Sequence, residues 1–571
     1  MKTPHPTPPA FGRRTVLMGA AAGAAALTAA GVAGLPSTAY AGASPYFAHG
    51  VASGDPRPGA VVLWTRVTPT AEAVPGSGAG PEISVSWQMS KTSDFARIVA
   101  KGTVSTDAGR DHTVKVDAAG LAPETWYFYR FRYNDAFSAV GRTRTAPAAS
   151  ATPDNVRLGI VSCSNLQAGW FSAYRHLAAR EDLHAVLHMG DYIYEYGPGE
   201  YGYGNGDVDI RSHVPAHEMV TLADYRQRHA QYKTDTDLQT LHRRYPFIVT
   251  WDDHESVNDA YKGGAENHQD ATEGDFHTRR AAAHQAYDEW MPVRMSGTAA
   301  SGDGDQLFRR IAFGQLAEIS MLDLRTYRDK QASTPLVDPA VNDPGRTITG
   351  SDQMAFLKGS LDNARAQWKV IGNPVMIAPV TLAGLPDADI AAVNEVVGHL
   401  PADGLPYNVD QWDGYTHDRR QVFDHIRDHG VTDALFVTGD IHSGWACELP
   451  TDKTNPLSPS VGVEFVGTSV TSNNLKDITD TPRRTTSLAV EGVLQANNPH
   501  VKYLNFDDHG FSVLDITSAR AQMDWYVIGD RTDAETGLTW TASYKTDAGT
   551  SRVTAVDSPL PLDIPLDTKV F

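Results

Sequence analysis

Apolar and polar positions alternate with a period of two over three early stretches, 60–67, 83–88 and 126–133. Gly/Pro/Asp clusters separate them. This pattern predicts half-buried strands of a small antiparallel sandwich, immunoglobulin- or fibronectin-like, over residues 44–150. A Pro/Ala-rich stretch at 145–153 reads as a linker. From Val156 the texture changes. Short apolar runs appear at 158–161, 185–189, 247–250 and 434–438, and each ends in a polar motif. Helical texture intervenes, as at 169–180. Runs without alternation are strands buried on both faces, so residues 151–571 predict a layered α/β domain. No internal repeat is visible.

The chain has 571 residues, more than one compact core usually holds, which supports two domains. Its net charge of -19 disfavours a nucleic-acid scaffold as partner, because that surface needs a basic face. Two cysteines, Cys163 and Cys447, exclude a disulfide-stapled fold at this size. Either could still pair or bind a metal, and packing suits Cys447 better.

Residues 1–43 hold no acidic residue and carry Lys2, Arg13 and Arg14 ahead of an Ala/Gly-rich run from Val16 to Leu35. Small-x-small cleavage candidates follow, Ala39-Tyr40-Ala41 and Ala41-Gly42-Ala43. This is the layout of a signal peptide, and the run is too poor in Leu, Ile and Phe for stable membrane insertion. Arg13-Arg14-Thr15-Val16-Leu17-Met18 resembles a twin-arginine signal. The expectation is a secreted protein carried by the twin-arginine export machinery.

Sites in α/β sheets form at the carboxyl ends of strands. The runs end in Ser162-Cys163-Ser164-Asn165, Gly190-Asp191-Tyr192-Ile193-Tyr194, Trp251-Asp252-Asp253-His254-Glu255 and Gly439-Asp440-Ile441-His442. A further run leads to Gly372-Asn373-Pro374. Four clusters of potential ligands in series point to one metal centre. Individually each has a plainer reading: Tyr192 and Tyr196 suit aromatic packing, and Asn373 suits a turn before Pro374. His254 and His442 suit core or surface histidines, and Asp252 competes with Asp253.

The order of these clusters resembles the calcineurin-like metallophosphatase pattern, and Asp191-x-x-Tyr194 resembles its purple acid phosphatase variant. Cys163, Asp253 and Asp440 stand where that superfamily usually has Asp, Asn and His. Those departures are similar to the PhoD-like alkaline phosphatase/phosphodiesterase family, as are the motifs at 53–67, 250–255, 322–328 and 438–445. The resemblance runs from about Ser44 to about Asp530. It implies a layered metallophosphatase β-sandwich flanked by helices, with Fe(3+) and Ca(2+) as cofactors. Thiolate, phenolate and imidazole suit iron, so Cys163, Tyr194, His442 and Asp191 form one candidate site. Asp191 would bridge to an oxygen-rich site of Asp253, Asp440 and Asn373.

The implied chemistry is hydrolysis of phosphate mono- and diesters by a metal-activated water. The substrate would be a small phosphate ester, a teichoic-acid-like polymer or a phospholipid. His254 would protonate the leaving alkoxide, and Arg325 or Arg328 would clamp the phosphate unless they pair with Asp323 or Asp329. The segment His500-x-Lys502 with Asp507 fits a phospholipase D signature, but that chemistry needs two copies. The rival function is a non-catalytic protein that binds cell-envelope polymer through the β module.

Overall fold

The computed structural model describes residues 44–201, 210–295, 306–332, 338–381, 406–453, 455 and 458–561. The expected signal segment, 1–43, lies outside the described residues. So does the middle of the 197–220 loop.

Two large sheets organise the chain. One has ten strands, with Asn155–Val161, Ala185–Met189 and Pro246–Thr250 parallel at its centre. The antiparallel strands Gly510–Thr517, Arg520–Ile528 and Leu538–Asp547 extend it on one side. The other sheet has seven strands, of which Ala317–Met321, Trp368–Asn373, Ala434–Thr438 and Ser460–Val466 run parallel.

The sheets face each other across an apolar layer. Leu158, Ile160, Leu187 and Met189 of one meet Ile319, Met321, Val370 and Val437 of the other. Helices cover the outer faces, where Val186, Phe247 and Val249 pack with Leu177, Leu241 and Tyr287. Apolar side chains are therefore needed on both faces of each central strand, which explains why these runs lack alternation. The helix read at 169–180 spans Ser172–Ala179.

The three stretches form the strands Ala60–Arg66, Ile83–Ser90 and Trp126–Tyr133, but Ala60–Arg66 is buried on both faces from Val61 on, not half-buried as expected, because it lies within the ten-stranded sheet. They divide between sheets. Ile83–Ser90 and Trp126–Tyr133 belong to a separate five-stranded sheet. Ala60–Arg66 joins Val51–Arg57 and Thr113–Ala119 at the edge of the ten-stranded sheet, through parallel pairing of Ser53 with Pro246. Val51, Val61, Leu63, Val85, Tyr127 and Phe131 fill the space between. The amino-terminal sandwich thus shares one sheet with the α/β part. The stretch expected to be a linker is fastened: Ala146 N–H donates to Arg57 O at 3.2 Å, and Gln315 N–H donates to Ala151 O at 2.7 Å.

Candidate metal centre

Carboxyl ends of parallel strands from both sheets meet at one edge of the sandwich. Cys163 follows Asn155–Val161, and Asp191 and Tyr194 follow Ala185–Met189. Asp252, Asp253 and His254 follow Pro246–Thr250, and Asp440 and His442 follow Ala434–Thr438. Two glycines permit the approach. A Cβ on Gly190 would lie 2.6 Å from Asp252 Cβ, and its φ of +102° disfavours any side chain. A Cβ on Gly439 would lie 2.9 Å from that of Ser162, on the opposite sheet.

Tight turns at these ends force unusual backbone on the residues that carry donors. Cys163, Asp191, Asp440 and His442 have φ of 59°, 56°, 62° and 54°. Left-handed conformations at residues other than Gly cost roughly 1–3 kcal/mol each and gather at functional sites. Here they aim side chains from separate strands into a common space.

Cys163, Asp191 and His442 each present a ligand atom, all within 4.8 Å of one another. Asp191, Asp253 and His254 make a second such group, and Asp253, Asp259 and Asp410 a third. The groups share Asp191 and then Asp253. The Tyr194 hydroxyl donates to Asp191 Oδ2 at 2.8 Å, accepts from Ser472 Oγ at 2.6 Å and lies 3.4 Å from His442 Nε2. His442 is oriented by its Nδ1, 2.7 Å from the carbonyl of Asn473. Such a bond from the far ring nitrogen is typical support for an imidazole ligand.

Whether this set fits cations is tested by its own unmet needs. Asp191 Oδ1 and Asp253 Oδ1 are buried and accept no hydrogen bond from the protein. Buried carboxylate oxygens of that kind are expensive unless a cation meets them. Burial, followed by the charge of Asp191, pushes the Cys163 thiol well above its usual range, and the Tyr194 hydroxyl rises for the same two reasons. Burial also raises Asp191, against His254 and with Asp253. Thiol, phenol and carboxyl thus crowd where only positive charge would favour their anions. The donors fit metal ions.

His254 is different. Burial would lower its pKa, but the carboxylates of Asp253, Glu195 and Asp191 outweigh that and hold the imidazolium well above the ordinary value. Its Nδ1 lies 2.7 Å from Glu195 Oε2, leaving Nε2 toward the cluster, 3.9 Å from Asp253 Oδ1. Burial opposes ionisation of Asp253, yet Arg325 and His254 hold it down at about 2.

Several expected residues sit otherwise than expected. Arg325 offers no free fork for phosphate. Its Nε and Nη2 donate to Asp252 at 2.6 and 2.8 Å, and Nη1 and Nη2 to Asp410 at 2.9 Å each. It is a strut among carboxylates, with Asp253 at 3.6 Å and Asp440 at 3.9 Å. Arg328 is likewise committed, its Nε to Ala260 O and Nη1 to Asp410 O. Asn373 is bonded to protein groups through both ends of its amide. Its Oδ1 accepts from the Trp412 indole at 2.9 Å, and its Nδ2 donates to Val375 O at 2.5 Å. Asp440 stands beside the cluster and accepts from Gln411 Nε2 at 3.2 Å. Cys447, by contrast, sits as expected, buried in the outer apolar layer of the seven-stranded sheet. His500 contacts Pro379 O, Lys502 donates to Pro499 O, and Asp507 accepts from Ser487, so the phospholipase D-like segment builds no site.

Other residues of the site, apart from Glu255, lie outside the ligand clusters visible in the sequence. Glu255 accepts from the backbone N–H groups of Asp191, Tyr192 and Asp252 at 3.1, 2.6 and 2.9 Å. It clips together the two loops that carry Asp191 and Asp253. Asp259 and Asp410 complete the third donor group, and Ser472 and Asn473 come from the loop after Ser460–Val466. Only Glu255 carried a signal, its place beside Asp253 and His254.

Fold and donors together define a class: an α/β sandwich with a candidate metal centre at its strand ends. The chain belongs to the PhoD-like phosphatase family, whose pattern it matches over residues 158–525, with that family's amino-terminal domain matched over 33–147. It is 36% identical over 505 residues to alkaline phosphatase D of Bacillus subtilis (strain 168), covering 87% of this chain and 80% of that protein. A solved structure described as PhoD superposes with a TM-score of 0.80 at 34% identity, covering 92% of this chain and 94% of the other.

Proposed function

We propose that this PhoD-like phosphatase, a phosphoric ester hydrolase, cleaves phosphate mono- and diesters at the cluster centred on Asp191. The observation that carries this reading is the place of Asp191, within ligand distance of Cys163 and His442 on one side and of Asp253 on the other. One carboxylate common to two donor sets is what a centre of adjacent cations requires.

Cys163, Tyr194, His442 and Asp191 would hold Fe(3+), and Asp253 with the neighbouring carboxylates would hold Ca(2+). Bound there, such cations supply Lewis-acid polarisation of phosphoryl oxygens and lower the pKa of an attacking water. The chain's own residues do the rest. His254, oriented through its Nδ1 by Glu195, would give an Nε2 proton to the departing alkoxide. Arg325 ties Asp252 to Asp410, a member of the third donor group, and balances their charge. Glu255 fixes the loops so that Asp191 and Asp253 keep their separation when substrate enters.

Turnover of p-nitrophenyl phosphate and of bis(p-nitrophenyl) phosphate with calcium, and its loss with chelator, tests the proposal. Chelator-resistant turnover of both esters would overturn it. A Fe(3+)–phenolate band in visible absorption, abolished by Tyr194→Phe, tests the iron assignment. Secretion by the twin-arginine route is supported by Arg13 and Arg14 before the apolar run. No described helix is long and apolar enough to cross a membrane. Replacing both arginines with lysine should leave the protein inside the cell; unchanged export would remove that part.

A further inference from the structure

Helices Ser351–Asn363 and Thr416–Asp428 cover the outer face of the seven-stranded sheet, burying Leu357, Leu361, Val422, Phe423 and Ile426. Each leads into a parallel strand, the first into Trp368–Asn373 and the second into Ala434–Thr438. Their last turns therefore lie at the end of the sheet opposite Asp440 and the metal centre. The separation is set by the elements themselves, since a helix of this length spans about 20 Å.

At that far end, Asp362 from the first helix faces His425 and His429 from the second. His425 Nε2 is 2.9 Å and His429 Nδ1 2.8 Å from the same oxygen, Asp362 Oδ1. The three ligand atoms all lie within 4.8 Å of one another. Histidines four apart on a helix share a face, so both rings reach one point without rearrangement. Their centroids are 3.9 Å apart. The neighbouring acids Asp424 and Asp428 pair with Arg427 at 2.7 and 2.8 Å, which leaves Asp362 as the carboxylate turned to the rings.

A single oxygen met by two imidazole nitrogens draws a ring proton from each. A cation among the three atoms takes the place of those protons and gains two nitrogen donors and one oxygen donor. We propose that Asp362, His425 and His429 form a second metal site, for a borderline divalent transition ion of the Zn(2+), Ni(2+) or Cu(2+) class. Two imidazoles disfavour calcium and magnesium, which seek oxygen. Three protein ligands leave the remaining positions to water. The bound ion ties the last turns of two helices whose polar side chains are otherwise joined by Lys358 Nζ donating to Gln421 Oε1 at 3.0 Å. The site is a clamp on the fold, remote from catalysis, and it stands independently of the reaction proposed above.

The test uses the full chain with its catalytic centre loaded. Zn(2+) titration by calorimetry, with total metal counted by mass spectrometry, should reveal one equivalent beyond the loaded centre. Asp362→Asn, His425→Gln and His429→Gln should each weaken that equivalent by more than about tenfold. Iron and calcium content and p-nitrophenyl phosphate turnover should stay unchanged. Cu(2+) added in place of zinc should show electron paramagnetic coupling to two nitrogens in the parent and not in the histidine variants. His429 is half exposed, so its variant tests the site even if His425→Gln fails to fold. Equal Zn(2+) binding in parent and variants, or a Cu(2+) spectrum without nitrogen coupling, would overturn the proposal.

Discussion

The ring of Tyr194 stacks on that of His254, with centroids 4.2 Å apart and planes inclined by 28°. A candidate metal ligand and a candidate proton donor thus support each other directly. The stack holds the imidazole plane, and Glu195 fixes its rotation through Nδ1. Nε2 is left facing the donor cluster.

That arrangement predicts a leaving-group signature. Without His254 the alkoxide must depart unprotonated, which matters most when it is a poor leaving group. His254→Asn should lower kcat by about 10²–10⁴-fold for an alkyl phosphate. The loss should be much smaller for p-nitrophenyl phosphate, whose leaving group is stable as an anion. Rates across a series of esters of graded leaving-group pKa check this. A loss equal for all of them would show that His254 acts on something other than the leaving oxygen.

Ser472 offers a finer probe of the tyrosine. Its hydroxyl donates to Tyr194 at 2.6 Å and so favours the phenolate, the form that binds a cation. Ser472→Ala should move the visible band of an iron-loaded enzyme and weaken retention of the ion against chelator by about tenfold. The folding midpoint of metal-free protein should change little. An unmoved band with a lowered midpoint would make Ser472 a packing residue only.

The sequence made legible which strand ends meet, and physical reasons separate that from what stayed hidden. Runs such as Ala185–Met189 had to be buried on both faces, so their polar ends had to lie at a sheet edge. Nothing local in Asp410 shows that it faces Arg325, because among the described residues it belongs to no strand and stands just before the short turn Trp412–Gly414. Arg325 itself reads as an anion binder from its chemistry, and the anions it binds are the protein's own. The left-handed backbone at Cys163 and His442 runs against their local preferences and is imposed by the meeting of two sheets. The division near residue 150 reads as a change of texture, while pairing of Ser53 with Pro246 depends on a partner nearly two hundred positions away.

Arg325 yields a prediction that separates strut from phosphate clamp. It is 3% exposed and meets Asp252 and Asp410, both buried. Removing one partner of a buried pair leaves charge unmet, at a cost of about 3–5 kcal/mol. Arg325→Ala should lower the thermal midpoint of the enzyme strongly. The double variant Arg325→Met with Asp252→Asn should recover part of it. A clamp would instead raise KM for small phosphate esters while leaving the midpoint intact. Calorimetry and steady-state kinetics on the same preparations decide between the two.

Acid sensitivity should come in part from histidines that the fold keeps neutral. His284 is buried against Trp251, with ring centroids 4.2 Å apart. Burial, helped by the charge of Arg280, lowers its pKa to about 3 from the 6.5 of a free side chain. The folded state therefore binds its proton more weakly than the unfolded state does. The stability this group contributes is whole above pH 6.5 and drains away as the pH falls toward 3. The slope is at most about 1.4 kcal/mol per pH unit for one group. Phenylalanine keeps the stack and cannot titrate. His284→Phe should therefore lose stability less steeply between about pH 6 and pH 4 than the parent does, when both are unfolded by urea without metal. Parallel curves for the two proteins would mean that His284 takes up no proton on unfolding, and the acid limb would then belong to other groups.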